Sequence, residues 1–419
     1  MYFSNKVQNL NIIYNIAIGL TERLLKFIVL FNQKIKFGVE GRSQTFSTLR
    51  NTIQATDKCI WFHCASLGEY EQGLPVFKEI KKLYKSHKII LTFFSPSGYE
   101  IRKNTEIADA VLYLPIDTKQ NAKRFVNHIN PELTVFVKYD IWPNYLNELK
   151  KIKGRAILIS ALFRKNQSYF KWYGRFMRDT LFAFEHIFTQ DDKSKKLLKT
   201  IGYHNTSVSG DTRFDRVYSQ LEQNNSLDFV SEFKAENLCF VAGSTWPEDE
   251  DILVDYINIS TDTTKFIIAP HNIKSAQIQK LKQSIKKKTI LFSEKEGALL
   301  HDFQVLIVDT IGLLSKIYFY ADIAYVGGAI GTTGLHNILE PAVFGVPVII
   351  GNNHKKFPEA ARMIKNAGVL EIKDVEGFKL IMSTLYENKT FLSALGEKNS
   401  DFIKKNTGAV VQIMDYLRI

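Results

Sequence analysis

The chain has 419 residues, which at about 100–200 residues per domain allows two to four domains, two being the simplest arrangement. Its 45% hydrophobic and 23% charged residues, with only 10 Pro and 23 Gly, exclude disordered, collagen-like and coiled-coil classes. Against 43 Asp and Glu stand 55 Lys and Arg, a net charge of +12 that favours an anionic partner: nucleic acid, acidic lipid or a phosphorylated substrate.

In chain order, residues 1–50 form an apolar and basic segment. Apolar residues run from Leu10 to Leu20 and from Leu24 to Phe31, interrupted by Thr21, Glu22 and Arg23. A membrane span needs ~20 predominantly apolar residues, and two charges in mid-run are costly in hydrocarbon. No small-residue cleavage site follows, which speaks against a removed signal peptide. Seven Lys/Arg against two Glu over residues 1–50 suit a helix lying in or dipping into an anionic leaflet. A helix packed on the protein body is the plainer alternative, and a true span stays open beside both.

Beyond residue 57, short apolar runs alternate with amphipathic stretches, the pattern of parallel sheets covered by helices. Strands are expected at 59–65, 88–94, 109–115, 133–139, 155–160, 186–190 and 206–210, forming an N-terminal α/β domain over 51–215. The polar cluster QLEQNNS marks a linker at 216–230. A second domain, 231–419, follows, with strands at 238–243, 265–270, 289–293, 304–308, 322–328 and 347–351 and helices from about 375 to 417. Two doubly wound domains place ligands beyond the carboxyl ends of the strands, here in a cleft between the domains. Cys59, Cys64 and Cys239 are odd in number and form no CxxC, so they read as core fillers in a reducing compartment.

Five constellations could carry chemistry. Ser66-Leu67-Gly68-Glu69 closes the first strand and places Glu69 in a first helical turn, where a carboxylate suits either a general base or an ordinary helix start. Gly243-Ser244-Thr245-Trp246-Pro247-Glu248 and Asp309-Thr310-Ile311-Gly312-Leu313 are further strand-to-helix turns. Both offer backbone N–H groups to an anion or simply cap their helices, with Asp309 or Thr310 as the second one's N-cap. The turn from Gly327 to Glu340 carries four glycines and leads to a helix expected near His336–Asn337; Glu340, one turn on, could accept from a sugar diol. It has neither GxGxxG nor GxxxxGK[ST] spacing, which disfavours NAD and P-loop readings. Residues 150–178 hold nine Lys/Arg and no acid, interleaved with Phe163, Tyr169, Phe170, Trp172, Tyr173 and Phe176, fitting a phosphorylated amphiphile, nucleic acid or a solvated face. No HExxH or GxSxG appears, and His336 and His354 lack cysteine partners at metal-ligand spacing.

Taken together, WFHCASLGE (61–69), TFFSPSGYE (92–100), YDIWPN (139–144), GSTWPEDE (243–250), IAPHNI (268–273), VDTIGLL (308–314) and the stretch 325–351 resemble the 3-deoxy-D-manno-octulosonic acid (Kdo) transferase family. The resemblance covers nearly the whole chain in matching order. It implies a GT-B glycosyltransferase fold, with two Rossmann-like domains and an interdomain cleft. It also implies inverting transfer of Kdo from CMP-Kdo to the tetraacyl-disaccharide precursor of lipid A (lipid IVA), without metal or other cofactor. The implied location is the cytoplasmic face of the inner membrane. The implied partners are CMP-Kdo, the lipid A precursor and an anionic membrane surface, not nucleic acid, for which the sequence shows no usual module.

By position the family's proton acceptor falls on Glu69, and its CMP contacts on Pro270, His271, Ile311, Gly312, Leu313, Asn337, Ile338, Leu339 and Glu340. The chain departs from the pattern in three places. Many relatives have Pro-Arg-His-Pro where this chain has Pro270-His271-Asn272-Ile273, so the cation near the nucleotide is replaced by His271 or supplied elsewhere. Relatives often carry glutamate at the positions of Leu313 and Asp140. Another sugar-nucleotide enzyme on the same fold, such as a UDP-sugar transferase or epimerase, and a non-enzymatic binder of anionic lipid are the competing readings.

Overall fold

The computed structural model describes residues 2–29, 32–261 and 263–418; Leu30 and Phe31, at the end of the apolar run, lie outside the described residues. The chain divides into two compact units. One runs to Arg216 and is rejoined by the chain from Thr407; the other spans Val217–Asn406.

The N-terminal unit is built on seven parallel strands: β1 (Cys59–Cys64), β2 (Lys88–Phe93), β3 (Ala110–Tyr113), β4 (Pro131–Val137), β5 (Arg155–Ala161), β6 (His186–Thr189) and β7 (Thr206–Val208), in the order β3-β2-β1-β4-β5-β6-β7. Near-continuous apolar runs such as Cys59–Cys64, buried at every position, are what a sheet covered on both faces demands. One face packs Trp61, Phe125, Phe136 and Tyr145; the other packs Phe62, Phe77, Val135 and Ile159. The chain reverses its direction of sheet growth between β1 and β4, so the loops after these strands flank the switch point where such folds bind ligands.

The C-terminal unit repeats the plan with β8 (Leu238–Thr245), β9 (Thr264–Pro270), β10 (Thr289–Leu291), β11 (Val305–Ile307), β12 (Ile323–Val326), β13 (Val348–Gly351) and β14 (Val369–Ile372), ordered β10-β11-β9-β8-β12-β13-β14. Its switch point lies between β8 and β12. The sequence pattern missed β14, a four-residue edge strand interrupted by Glu371, which turns to His354.

Three segments differ from the expected division. The stretch 216–230 is no bare linker: it holds the end of helix Thr212–Tyr218, the 3-10 turn Ser219–Glu222 and the start of helix Asp228–Lys234. Helix Ala409–Arg418 leaves the C-terminal unit and sinks Ile413, Met414 and Leu417 into the N-terminal core, with Asp215 accepting from the Gly408 and Ala409 amides. Within residues 1–50, helix Gln33–Thr52 is part of the α/β body. Its Leu49 is fully buried, and Arg42 donates to the carbonyls of Leu114 (3.0 Å) and Phe94 (2.5 Å).

Helix Tyr2–Ile28 has its polarity inverted. Tyr14 donates to Asp117 at 2.7 Å, Asn144 donates to Asn15 at 3.0 Å, and Asn121 donates to Glu22 at 3.1 Å, so the polar residues face the protein. Ile12, Ile13, Ile16, Leu20, Leu24 and Phe27 are left in water. Glu22, which broke the apolar run in the sequence, is thereby turned inward. No described helix is long and apolar enough to cross a membrane.

Candidate active site

Beyond β1 the chain enters helix Leu67–Leu83 with Ser66 as N-cap and Glu69 in the first turn. The Ser66 hydroxyl donates to Glu69 Oε2 instead of capping a backbone amide. Glu69 is half-buried, and among the described residues no cation pairs with it. Glu71 contrasts sharply: it is held by Arg102 at 2.7 Å and Arg216 at 3.1 Å. Two carboxylates one residue apart thus separate into a structural anion neutralised by two guanidiniums and one left with a hydroxyl partner. Only the second can take up a proton without breaking an ion pair.

The neighbouring loops brace this turn. Ser95 caps helix Pro96–Arg102, and a Cβ on Gly98 would come 2.3 Å from the Phe93 ring and 3.1 Å from the Leu67 amide nitrogen. Glycine is therefore required for the β2 loop to lie against the Ser66–Glu69 turn. From the β4 side, Trp142 stacks near Phe94 (4.7 Å between centroids), with its Nε1 3.0 Å from His63 Nε2. Asp140 pairs with the same nitrogen. The other imidazole nitrogen meets Thr92 Oγ1 at 2.7 Å, which accepts from Trp61 Nε1 at 2.8 Å. His63 is fully buried within this network, so the Asp140 carboxyl is anchored at the strand ends. Sequence reasoning singled out neither His63 nor Trp142.

Burial raises the thiol of Cys59 to about 11 and that of Cys239 to about 12, and pushes Cys64 up as well; all three are free, buried core residues. In the basic stretch 150–178, Phe163 and Tyr169 belong to the core, Arg155 pairs with Glu185 at 2.8 Å, and Arg178 donates to the Tyr169 carbonyl. Trp172, 85% exposed, and Tyr173 remain in water beside helix Arg175–Leu181, whose Phe176 packs on Tyr14 (5.4 Å between ring centroids).

In the C-terminal unit the expected nucleotide residues follow the carboxyl ends of β9, β11 and β12. Pro270 ends β9, and the His271 amide donates to the Thr245 carbonyl at 2.9 Å, next to the end of β8. Asp249 ties the turns together, accepting from the amides of Trp246 (2.9 Å) and Gly328 (2.8 Å) and from the Tyr325 hydroxyl (2.7 Å). A Cβ on Gly327 would meet the Ser244 carbonyl oxygen at 2.5 Å and Asp249 Oδ2 at 2.7 Å, so the glycine turn can seat only on a bare backbone here.

Ile311, 79% exposed, and Gly312 precede helix Leu314–Ile317, a single turn whose N-cap is Leu313. Asp309 is not its cap; the carboxylate accepts from Ser293 instead, at 3.0 Å from the amide and 2.5 Å from the hydroxyl. The helix expected near His336–Asn337 begins only at Leu339 and ends at Ala342. Asn337 supplies its first hydrogen bond, accepting from the Leu339 amide at 3.2 Å and donating to Glu340 at 3.0 Å. Ile338 and Leu339 are buried, so their side chains do not face a ligand.

Trp246 and His336, absent from the expected set, sit in its midst: the Trp246 ring stacks on His271 (4.6 Å between centroids) and its Nε1 donates to His336 at 3.2 Å. The groove of about 420 Å³ along helices Pro247–Ile257 and Ser275–Ser284, lined by Glu250, Asp251 and Asp255, holds none of the expected residues. Among the described residues no group of three or more His, Cys, Asp or Glu side chains is placed to hold a metal ion.

Comparison with known proteins places this geometry. The N-terminal glycosyltransferase family described as 3-Deoxy-D-manno-octulosonic-acid transferase (kdotransferase) matches residues 38–216. A bifunctional glycosyltransferase/methyltransferase of Fusobacterium nucleatum is 26% identical over 93% of this chain, which spans only 59% of that longer protein. The 3-deoxy-D-manno-octulosonic acid transferase of Haemophilus influenzae is 27% identical, covering 94% of this chain and 95% of the relative. Among solved structures, UDP-GlcNAc 2-epimerase of Neisseria meningitidis, bound to UDP-GlcNAc, superimposes with a TM-score of 0.60 at 14% identity, covering 86% of this chain and all of that one. That likeness is one of fold, two Rossmann-like units of the GT-B type in series. The N-terminal match and the full-length relatives agree: over residues 38–216 the chain matches the 3-deoxy-D-manno-octulosonic acid transferase family, and over nearly its whole length it is similar to enzymes of that name.

Proposed function

We propose that this chain transfers Kdo from CMP-Kdo to a hydroxyl of the lipid A disaccharide precursor, at the cytoplasmic face of the inner membrane. The observation that carries the reading is the division of roles between Glu69 and Glu71. Glu69, hydrogen-bonded by Ser66 and without an ion pair, takes the proton of the acceptor hydroxyl through Oε1 as the oxygen attacks the anomeric carbon of Kdo. The bond from that carbon to the phosphate breaks on the opposite side, so configuration inverts and CMP departs with the electron pair.

A free hydroxyl is far less acidic than a carboxylic acid, so proton transfer accompanies bond formation; such general-base help is typically worth ~10²–10⁴-fold. In the C-terminal unit, Pro270, His271, the backbone at 311–313 and the Asn337–Glu340 segment hold the CMP moiety. Backbone N–H groups meet the charge that develops on the leaving phosphate. The outward apolar stripe of helix Tyr2–Ile28, with Trp172 nearby in the N-terminal unit, suits an acceptor that resides in a lipid leaflet.

The test is mass spectrometry of products from the purified chain, CMP-Kdo and the tetraacyl disaccharide. Glu69→Gln should lower turnover by ~10²–10⁴-fold with CMP affinity unchanged. Near-normal turnover in that variant overturns the base assignment, and calorimetric binding of UDP in preference to CMP overturns the donor.

A further inference from the structure

Three aromatic rings from three different strand ends meet beside the glycine turn of the C-terminal unit. Trp246 follows β8, His271 follows β9, and His336 lies in the turn after β12. The Trp246 ring is inclined by 20° to both imidazoles, at centroid distances of 4.6 Å to His271 and 6.5 Å to His336. The two imidazoles are 4.5 Å apart.

An indole N–H can only donate, and that of Trp246 is directed at His336 Nε2 at 3.2 Å. Nε2 must then present its lone pair, which puts the single proton of a neutral imidazole on Nδ1. Protonating His336 would set one N–H against another and add a cation beside a second imidazole. Burial first, and His271 second, push the His336 imidazolium down to about 4; burial also lowers that of His271.

The carboxylates around the cluster contribute to neither shift: Asp249 is engaged with Trp246, Tyr325 and Gly328, and Glu340 pairs with Asn337, while Glu248 enters neither. No other titratable side chain enters the two shifts.

Resting on the CMP-Kdo reading above, we propose that Trp246 is a positioning residue for the donor: it locks His336 as the Nδ1–H tautomer, so that this imidazole meets the anionic nucleotide as an uncharged hydrogen-bond donor. Phenylalanine in place of Trp246 keeps an aromatic ring and removes the N–H. His336 stays buried beside His271 and therefore neutral, but Nε2 has lost its donor, and the single proton of the imidazole is free to sit on either nitrogen.

The experiment uses ¹⁵N-histidine-labelled full-length protein, with His336→Gln to assign the resonance, and CMP as the calorimetric probe. In the parent protein His336 should show the Nδ1–H tautomer and no protonation step above about pH 5. In Trp246→Phe the Nε2–H tautomer should appear beside or in place of the Nδ1–H one. CMP affinity at pH 8 should fall at least about threefold, the cost of a weakened hydrogen bond from Nδ1–H to the ligand.

An Nε2–H tautomer or a titration near pH 6.5 in the parent protein overturns the proposal, and this measurement does not depend on the variant folding. So does a Trp246→Phe protein whose tautomer and CMP affinity match the parent's. If the parent binds no CMP, the donor reading itself falls, and the two failures are thereby distinguished.

Discussion

Replacing the outward stripe of the first helix should detach the protein from lipid without unfolding it. Ile16, Leu20 and Leu24 are spaced four apart on one face and are 57%, 53% and 57% exposed. Complete burial of such a side chain is worth about 1.5–3 kcal/mol. Roughly half of each is already covered by protein, so transfer into a leaflet gains about 1 kcal/mol per residue, or about 3 kcal/mol for the three. At 1.4 kcal/mol per tenfold this is about a 100-fold change in partition. The triple variant Ile16→Gln, Leu20→Gln, Leu24→Gln should therefore bind anionic phospholipid vesicles about 100-fold more weakly in sedimentation at physiological salt. Its thermal unfolding should be unchanged, because glutamine is a good helix former and these faces already lie in water. Partition within about threefold of the parent's would refute the reasoning and leave the stripe without a role at a membrane.

Two further outcomes follow from the N-terminal unit. Gly98→Ala forces a methyl group against the Phe93 ring and the Leu67 amide. It should cost about 1–3 kcal/mol in denaturant unfolding and lower turnover more than CMP affinity, since the Glu69 turn is displaced while the C-terminal unit is untouched; unchanged turnover would count against the bracing role. Asp117, buried beneath Tyr14, has its carboxyl raised from 3.8 to about 7, chiefly by desolvation, against the lowering effect of Tyr14 and two backbone amides. Between those values the folded chain holds a proton that the unfolded chain has released. This group therefore adds stability as pH falls from about 7 toward 4 and opposes folding above 7. Melting profiles should show that contribution in the parent and lose it in Asp117→Asn; identical pH dependence in the two proteins would contradict it.

The strands were readable because a parallel sheet buried on both faces needs short apolar runs such as residues 135–137 of β4 and 266–269 of β9. β14 escaped because an edge strand tolerates Glu371 and needs only four residues. Glu69 was readable for a local reason: Ser66 and Glu69 are three residues apart, and strand-to-helix geometry alone brings them together. The Trp246–His336 and His63–Asp140 pairs span 90 and 77 residues, and they exist only because the sheet orders set β8 beside β12 and β1 beside β4. Strand order is a tertiary outcome that hydrophobic periodicity does not encode. The same limit hid the inversion of the first helix, whose inward face is defined by Asp117, Asn121 and Asn144, 99 to 129 residues away from their partners.

Because Ile413, Met414 and Leu417 complete a core that begins with Ile60 and Phe62, the first half of the polypeptide cannot close its hydrophobic interior as it emerges from the ribosome. It must wait, with part of one face of its sheet uncovered, until the whole intervening unit Val217–Asn406 has been synthesised. Nascent chains of this protein should accordingly depend on a holding chaperone for longer than a molecule whose domains follow one another without interleaving, and trimming the final dozen residues should harm the opening half of the protein rather than the closing one.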